Sequence, residues 1–232
     1  MNKSISRKSS LSQFSSAMKG VISKPLGLAL LATVSSFSFA DSYEIDPDHA
    51  NARFSIDHFN TSTNTGGFYN LIGEVIYKPE SQEGSVSVVI PMDTINTGNS
   101  RFDEHLKSSD FFNVENYPIA RFDSTKWHFA VDAPEKDQAQ TTEANDQEGL
   151  DDSANLVPTK IDGELSLLGK THPITLTATK FNCYFSAVVE KQVCGGDFTT
   201  TIDRSKWGID KYVEVGMAKE VRLDIQIEAI KR

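Results

Sequence analysis

Five histidines are the side chains of this sequence best suited to acid–base or metal chemistry. They are His49, His58, His105, His128 and His172, and they lie far apart, without the His-Glu-x-x-His spacing of a zinc protease. The sequence also contains no Gly-x-Ser-x-Gly nucleophile elbow and no glycine-rich phosphate-binding loop. It therefore predicts no catalytic residue, no metal site and no cofactor, and we expect a binding protein rather than an enzyme.

The densest polar cluster begins at Arg101 and ends at Asp110. If residues 101–112 form a short helix, Arg101 and His105 share one face, because they are four residues apart, and both can meet one anionic group. The structural alternative is a helix that plugs one end of the fold, with Asp103 and Asp110 bonding to backbone donors. An acid–base pair such as His58 with Asp103, acting on a lipid, is the enzymatic alternative.

Cys183 and Cys194 are the two cysteines of the chain. An even number of cysteines predicts a disulfide in an oxidising compartment, to which the N-terminal residues 1–40 would direct the chain as a secretory leader. Metal binding or a redox pair is the alternative, but neither cysteine has a second cysteine or a histidine at ligand spacing.

The N-terminus has the composition of a secretory leader. Residues 1–24 carry five basic side chains and no acidic one, and the apolar run 25–39 follows. Ser38-Phe39-Ala40 supplies the small residues of a cleavage site. We therefore predict a signal peptide over residues 1–40, cleavage near Ala40, and a periplasmic domain over residues 41–232.

Loss of this leader makes the chain strongly acidic. It leaves 18 Lys and Arg against 32 Asp and Glu, a net charge of about −14 with histidine neutral. Nucleic-acid binding depends on clustered basic side chains, so we expect none. Transient contact with a membrane and a homodimer are both compatible with the sequence.

Most of the remaining chain alternates apolar and polar side chains with a period of two, which is typical of half-buried β-strands. The clearest runs lie near residues 52–59, 86–90, 161–167, 174–178 and 221–229. A helical period occurs only around residues 101–112. Short strands with turns such as Leu168-Gly169-Lys170 predict an all-β antiparallel meander, closed into a barrel or folded as a sandwich.

Residues 133–155 interrupt this pattern with seven acidic side chains and one lysine. The segment has too few apolar side chains to offset its ordering entropy, so we predict a disordered surface loop. The alternative, a calcium loop, lacks the regular ligand spacing of a dedicated site.

Three motifs of residues 41–232 are Phe54-Ser55-Ile56-Asp57-His58, Asp103-Glu104-His105-Leu106 and Ile202-Asp203-Arg204-Ser205-Lys206-Trp207-Gly208. They resemble the YceI-like family, the polyisoprenoid-binding proteins of the bacterial periplasm. Further matching segments are 43–49, 67–68, 73, 97–98, 107–112, 117–118, 122–125 and 163–169. Because these segments occur in order, the resemblance covers nearly all of residues 43–232.

The resemblance implies an antiparallel, eight-stranded, lipocalin-like β-barrel with one or two short helices. Its interior would hold a polyisoprenoid or a related lipid, an isoprenoid quinone included. One departure concerns the Asp-x-His-Leu motif, where Phe102 stands in the position that is commonly arginine and the arginine is Arg101.

Strand parity, the rule that alternate residues of a strand face the same side, nominates the side chains that would line such an interior. An error of one residue would exchange the inward and outward side chains of the whole strand. They are Phe54, Ile56, Phe68, Val75, Val88, Ile90, Phe122, Leu165, Leu176, Ile202, Leu223, Ile225 and Ile227. We predict that His58, Arg101 and His105 meet a polar head group at one end. The alternative is a barrel filled by its own side chains, which would serve as an interaction or stress-response module without a ligand.

Overall fold

Ten antiparallel β-strands and one α-helix make up the computed structural model, which describes residues 41–131 and 156–232. The strands are β1 (Asp41–Ile45), β2 (Asn51–His58), β3 (Ser62–Tyr69), β4 (Ile72–Lys78), β5 (Glu83–Pro91), β6 (Ile119–Val131), β7 (Leu156–Leu167), β8 (Lys170–Ser186), β9 (Lys191–Asp203) and β10 (Glu220–Lys231). The helix is α1 (Ser100–Lys107). Short 3₁₀ turns lie at Pro47–His49, Pro79–Ser81, Met92–Thr94, Arg204–Trp207 and Val213–Val215.

The ten strands close into an eight-stranded barrel because four of them form two interrupted strands. β1 and β2 follow each other along one edge of β10, with Ile45 opposite Ala229 and Ile56 opposite Val221. β4 and β3 pair with β1 and β2 in the same way. From β4 the sheet continues through β5, β6, β7, β8 and β9 to β10. The predicted antiparallel, eight-stranded barrel is therefore confirmed.

The helix α1 is shorter than the predicted 101–112. The Asn99 side chain accepts hydrogen bonds from the backbone N–H groups of Arg101 and Phe102 and so caps the first turn. The helix ends at Lys107 because Ser108 adopts an extended conformation, and serine and aspartate compete for backbone hydrogen bonds in the residues that follow. Phe111 and Phe112 therefore lie in turns rather than on the helix.

A long hairpin joins β8 to β9, and the disulfide lies within it. Cys183 and Cys194 face each other across the two strands and are bonded, which confirms the predicted pairing. Near the middle of β8, the register shifts between Ala178 and Lys180, so that Phe181 points inward.

The predicted signal peptide (1–40) and the whole acidic segment (133–155) lie outside the described residues. No helix within residues 41–131 and 156–232 has the length and apolar character needed to cross a membrane.

Removal of the disulfide should destabilise the barrel. In the chain-entropy model, a cross-link closing a loop of this size stabilises the fold by about 3 kcal/mol, so replacement of Cys183 and Cys194 by alanine should lower the free energy of unfolding by about that amount. Urea unfolding followed by tryptophan fluorescence measures the change. Dithiothreitol should lower the stability of the native protein similarly and leave the double variant unaffected; an equal effect on both proteins would contradict the prediction.

Candidate functional site

The interior of the barrel contains two adjoining cavities. The larger has a volume of about 390 Å³ and the smaller about 100 Å³. Both are lined almost entirely by apolar side chains, and four residues line both: Ala52, Ile90, Leu165 and Leu223. The two spaces therefore succeed each other along the barrel, and the described side chains do not fill its lumen.

All thirteen inward candidates lie on these cavities. The larger cavity is lined by Phe54, Ile56, Phe68 and Ile202, the smaller by Val75, Val88, Phe122, Leu176, Ile225 and Ile227, and both by Ile90, Leu165 and Leu223. Strand parity located them because the side-chain period of two holds within each of these strands. Their contact with a ligand stays a prediction.

Two segments outside the strands cover the larger cavity, and strand parity could not identify their side chains. From α1 and the turns after it come Phe102, Leu106, Phe111 and Phe112. The β9–β10 loop, residues 204–219, adds Ile209, Tyr212 and Met217. Trp207 fastens this loop to the barrel wall, since its buried indole Nε1–H donates to the carbonyl of Leu165 at 3.0 Å.

The two covering segments also touch each other. Lys211 Nζ lies 3.0 Å from a carboxylate oxygen of Asp110, and the rings of Phe111 and Tyr212 are 6.3 Å apart. Phe59, at the end of β2, joins Tyr212 in lining the cavity while remaining partly exposed. This end of the barrel is therefore a mouth with an apolar rim.

Aromatic side chains close the other end. The ring of Tyr77 lies 5.2 Å from that of Phe181, 6.2 Å from that of Trp127 and 6.3 Å from that of Phe129. The Tyr77 hydroxyl donates to the carbonyl of Leu156 at 2.9 Å, and burial raises the pKa of Tyr77 to about 12. None of the described residues that line the smaller cavity has a charged side chain, so this end of the lumen is apolar.

The predicted head-group residues are brought together only in part. His58 and His105 line the larger cavity, and the His105 ring packs edge-on against Phe111 at 4.7 Å. Arg101 is exposed and is not among the lining residues, whereas its neighbour Phe102 is. Arg101 and His105 are four residues apart on α1, yet only His105 lines the cavity, so the shared helix face did not bring both side chains there.

Arg204 is a lining residue that the sequence analysis quoted in a motif without giving it a role. It is 4% exposed, and its guanidinium donates to the carbonyls of Ala218, Ile209 and Lys211 at 2.7–3.0 Å. Burial lowers the pKa of Arg204, and the carboxylates of Asp210 and Asp203 oppose that shift. An arginine so placed keeps its charge at neutral pH.

The enzymatic alternative paired His58 with Asp103. Asp103 instead accepts hydrogen bonds from the backbone N–H and the hydroxyl of Thr97, both at 2.7 Å, and it does not line the cavity. This is the structural role considered above for Asp103, while Asp110 pairs with Lys211 rather than with a backbone donor.

Comparison with known sequences points to one family over almost the whole described chain. The family model of the YceI-like domain matches residues 43–229. A UPF0312 protein of Pseudomonas putida is 28% identical over 210 residues, covering 89% of this chain and 94% of its own. A UPF0312 protein of Photorhabdus laumondii is 37% identical over 101 residues, which is 42% of this chain and about half (52%) of the relative.

Comparison with solved structures supports the same fold. A polyisoprenoid binding domain from Saccharophagus degradans, implicated in plant cell wall breakdown, superimposes with a TM-score of 0.54 at 11% identity. The match covers 82% of this chain and 98% of that domain. At this low identity, the likeness shows a shared barrel.

A hollow interior should tolerate a larger side chain at Ala52, which lines both cavities. Since a buried CH₂ contributes about 0.8 kcal/mol, Ala52→Leu should raise the free energy of unfolding by about 1–2 kcal/mol. Ala229→Leu is the matched control, because Ala229 is 1% exposed and lines neither cavity, and overpacking there should cost about 1–3 kcal/mol. Chemical unfolding compares the two variants; equal destabilisation would mean that the lumen is filled.

Proposed function

We propose that this chain, which belongs to the YceI-like family, binds one long apolar ligand inside its barrel and carries it through the periplasm. The ligand class we propose is a polyisoprenoid or a related lipid, isoprenoid quinones included. The observation that carries the proposal is the pair of adjoining apolar cavities along the barrel axis. The polyisoprenoid binding domain of Saccharophagus degradans, which has the same fold, supports the ligand class.

The dimensions suit a slender chain. Ligand sites of proteins occupy about 300–1,000 Å³, and the larger cavity alone falls within that range at about 390 Å³. Two cavities in succession favour an extended ligand over a compact one. No catalytic group is needed, because transfer of each methylene from water to the apolar lining contributes about 0.8 kcal/mol before binding costs are subtracted.

The asymmetry of the barrel suggests how the ligand is oriented. The aromatic cluster around Tyr77 would receive the tail, since that end offers apolar surface and a neutral hydroxyl. The polar end of the ligand would lie at the mouth, where His58 and His105 can exchange hydrogen bonds with it. Arg101, being exposed on α1, would reach a head group only outside the mouth.

A periplasmic location agrees with two features of the chain. The leader of residues 1–40 has the composition of an export signal, and the Cys183–Cys194 disulfide suits an oxidising compartment.

Affinity should increase with chain length. For linear alcohols of increasing length, we expect a gain of about 0.8 kcal/mol per methylene until the two cavities are full, then a plateau. Titration calorimetry or displacement of a fluorescent lipid measures the series. Ala52→Leu should bring the plateau to a shorter chain, and affinity independent of chain length would contradict the proposal.

Exchange of the ligand with a membrane would take place at the mouth. Its rim exposes Phe59, Tyr212 and Val215, and the exposed fraction of Val215 is 68%. Phe59 lies beside Gly216, which belongs to the β9–β10 loop together with Tyr212 and Val215. Apolar side chains around an opening can enter the surface of a bilayer while the ligand moves across.

Val215→Asp should therefore slow lipid transfer between protein and vesicles several-fold without changing the equilibrium affinity, because Val215 does not line the cavity. Val188→Asp is the matched control: Val188 is 93% exposed at the turn between β8 and β9, at the opposite end of the barrel. Stopped-flow transfer of a fluorescent lipid measures both rates, and equal slowing by the two variants would exclude the mouth as the contact.

A further inference from the structure

The wall of the larger cavity contains one permanently charged side chain, Arg204, among the lining residues that the structure describes. Its three hydrogen-bond partners are all neutral carbonyls of the β9–β10 loop. Within the described residues, no carboxylate lies within 4 Å of it, so its positive charge is buried without a counter-ion. Asp203 and Asp210 act on it only at longer range.

The burial of the Arg204 charge is costly. A buried charge without a partner loses its hydration, and three carbonyls recover only part of that loss. Arginine has five N–H donors, of which three are used here, so two N–H bonds have no acceptor among the described residues.

We propose that Arg204 is the site for an anionic head group, so that the barrel selects amphiphiles ending in a carboxylate or phosphate over neutral alcohols of the same chain length. This inference rests on the proposed function and specifies the class of ligand. The planar guanidinium matches the geometry of both oxyanions. In the apolar cavity the ion pair is weakly screened, which strengthens it relative to a surface pair.

The position of Arg204 agrees with the orientation proposed for the ligand. Arg204 begins the β9–β10 loop, at the end of β9 that lines the larger cavity, whereas the start of β9 reaches the smaller one through Cys194. A head group bound at Arg204 therefore leaves the smaller cavity to the tail. An anion bound there would also stabilise the loop whose carbonyls Arg204 holds.

The test compares three ligands that share one linear chain and end in an alcohol, a carboxylate or a phosphate. The native protein should bind each anion at least about tenfold more tightly than the alcohol, as expected for one hydrogen-bonded charge pair. Equal affinities would overturn this inference and leave the proposed function standing, while failure of all three to bind would contradict the proposed function itself. Inorganic phosphate alone should not displace the bound anionic ligand. If it does, the site binds free phosphate rather than a lipid, which would overturn this inference.

Two arginine variants assign the preference to a residue. Arg204→Gln should bind the alcohol and both anions with similar affinity, whereas Arg101→Gln, which changes an exposed arginine outside the cavity, should keep the native preference. The preference should also persist in about 0.5 M salt, where exposed charges are screened over a few ångströms. Loss of the preference in Arg101→Gln or in salt would assign it to the surface and overturn the proposal.

Arg204→Gln removes three hydrogen bonds within the β9–β10 loop and could therefore fail to fold. A second measurement uses the native protein and does not depend on the variant. In ¹⁵N-labelled native protein, the side-chain Nε–H resonance of Arg204 should shift with the carboxylate or phosphate ligand and stay in place with the alcohol. An identical response to all three ligands would overturn the proposal whatever the variant does.

Discussion

Pairing between β1 and β10 joins the first and last strands of the sheet, and the interior of the protein depends on that closure. The outer edge of β3 lies beyond that closure, and there Gly67 exchanges backbone hydrogen bonds with Asn96. Where the sheet closes, alternate side chains of each strand must face one enclosed space. In an eight-stranded barrel that space is either filled by side chains or just wide enough for a slender ligand. Here two cavities remain, although large side chains such as Phe54, Phe68 and Phe122 point into it.

An apolar cavity of this volume favours a ligand for a simple physical reason. Atoms lining an empty space lack partners on one side and lose dispersion contacts, and water gains little there because it finds few hydrogen bonds. An alkyl chain restores those contacts. The two ends of the barrel differ in structure. The aromatic cluster around Tyr77 closes one end, and α1 with the β9–β10 loop forms a mouth at the other.

The period of two predicted the strands and the side chains that line them, because it is a local property that regular strands preserve. It left a barrel and a sandwich equally open, and the resemblance to the YceI-like family implied the barrel. Where the backbone departs from regular strand geometry, the period of two no longer predicts which side chains point inward. The register shift in β8 brings Phe181 inward, which simple alternation from Leu176 would not indicate. On α1 the sequence predicted Arg101 at the ligand, whereas Phe102 lines the cavity and Arg101 is exposed. Which face of so short a helix packs against the barrel depends on tertiary contacts that its own sequence does not show. Arg204 is buried by carbonyls five to fourteen residues away, contacts that leave no periodic signal.

The central claim, a hollow barrel that shelters a hydrocarbon chain, is tested most directly by native mass spectrometry of the protein purified from the periplasm of a bacterial host. We expect a discrete mass above that of the polypeptide, which disappears after extraction with organic solvent and is recovered in the extract as a lipid-like molecule. Re-addition of that molecule should restore the heavier species. A polypeptide that shows only its own mass, before and after incubation with lipid extracts, would contradict the account.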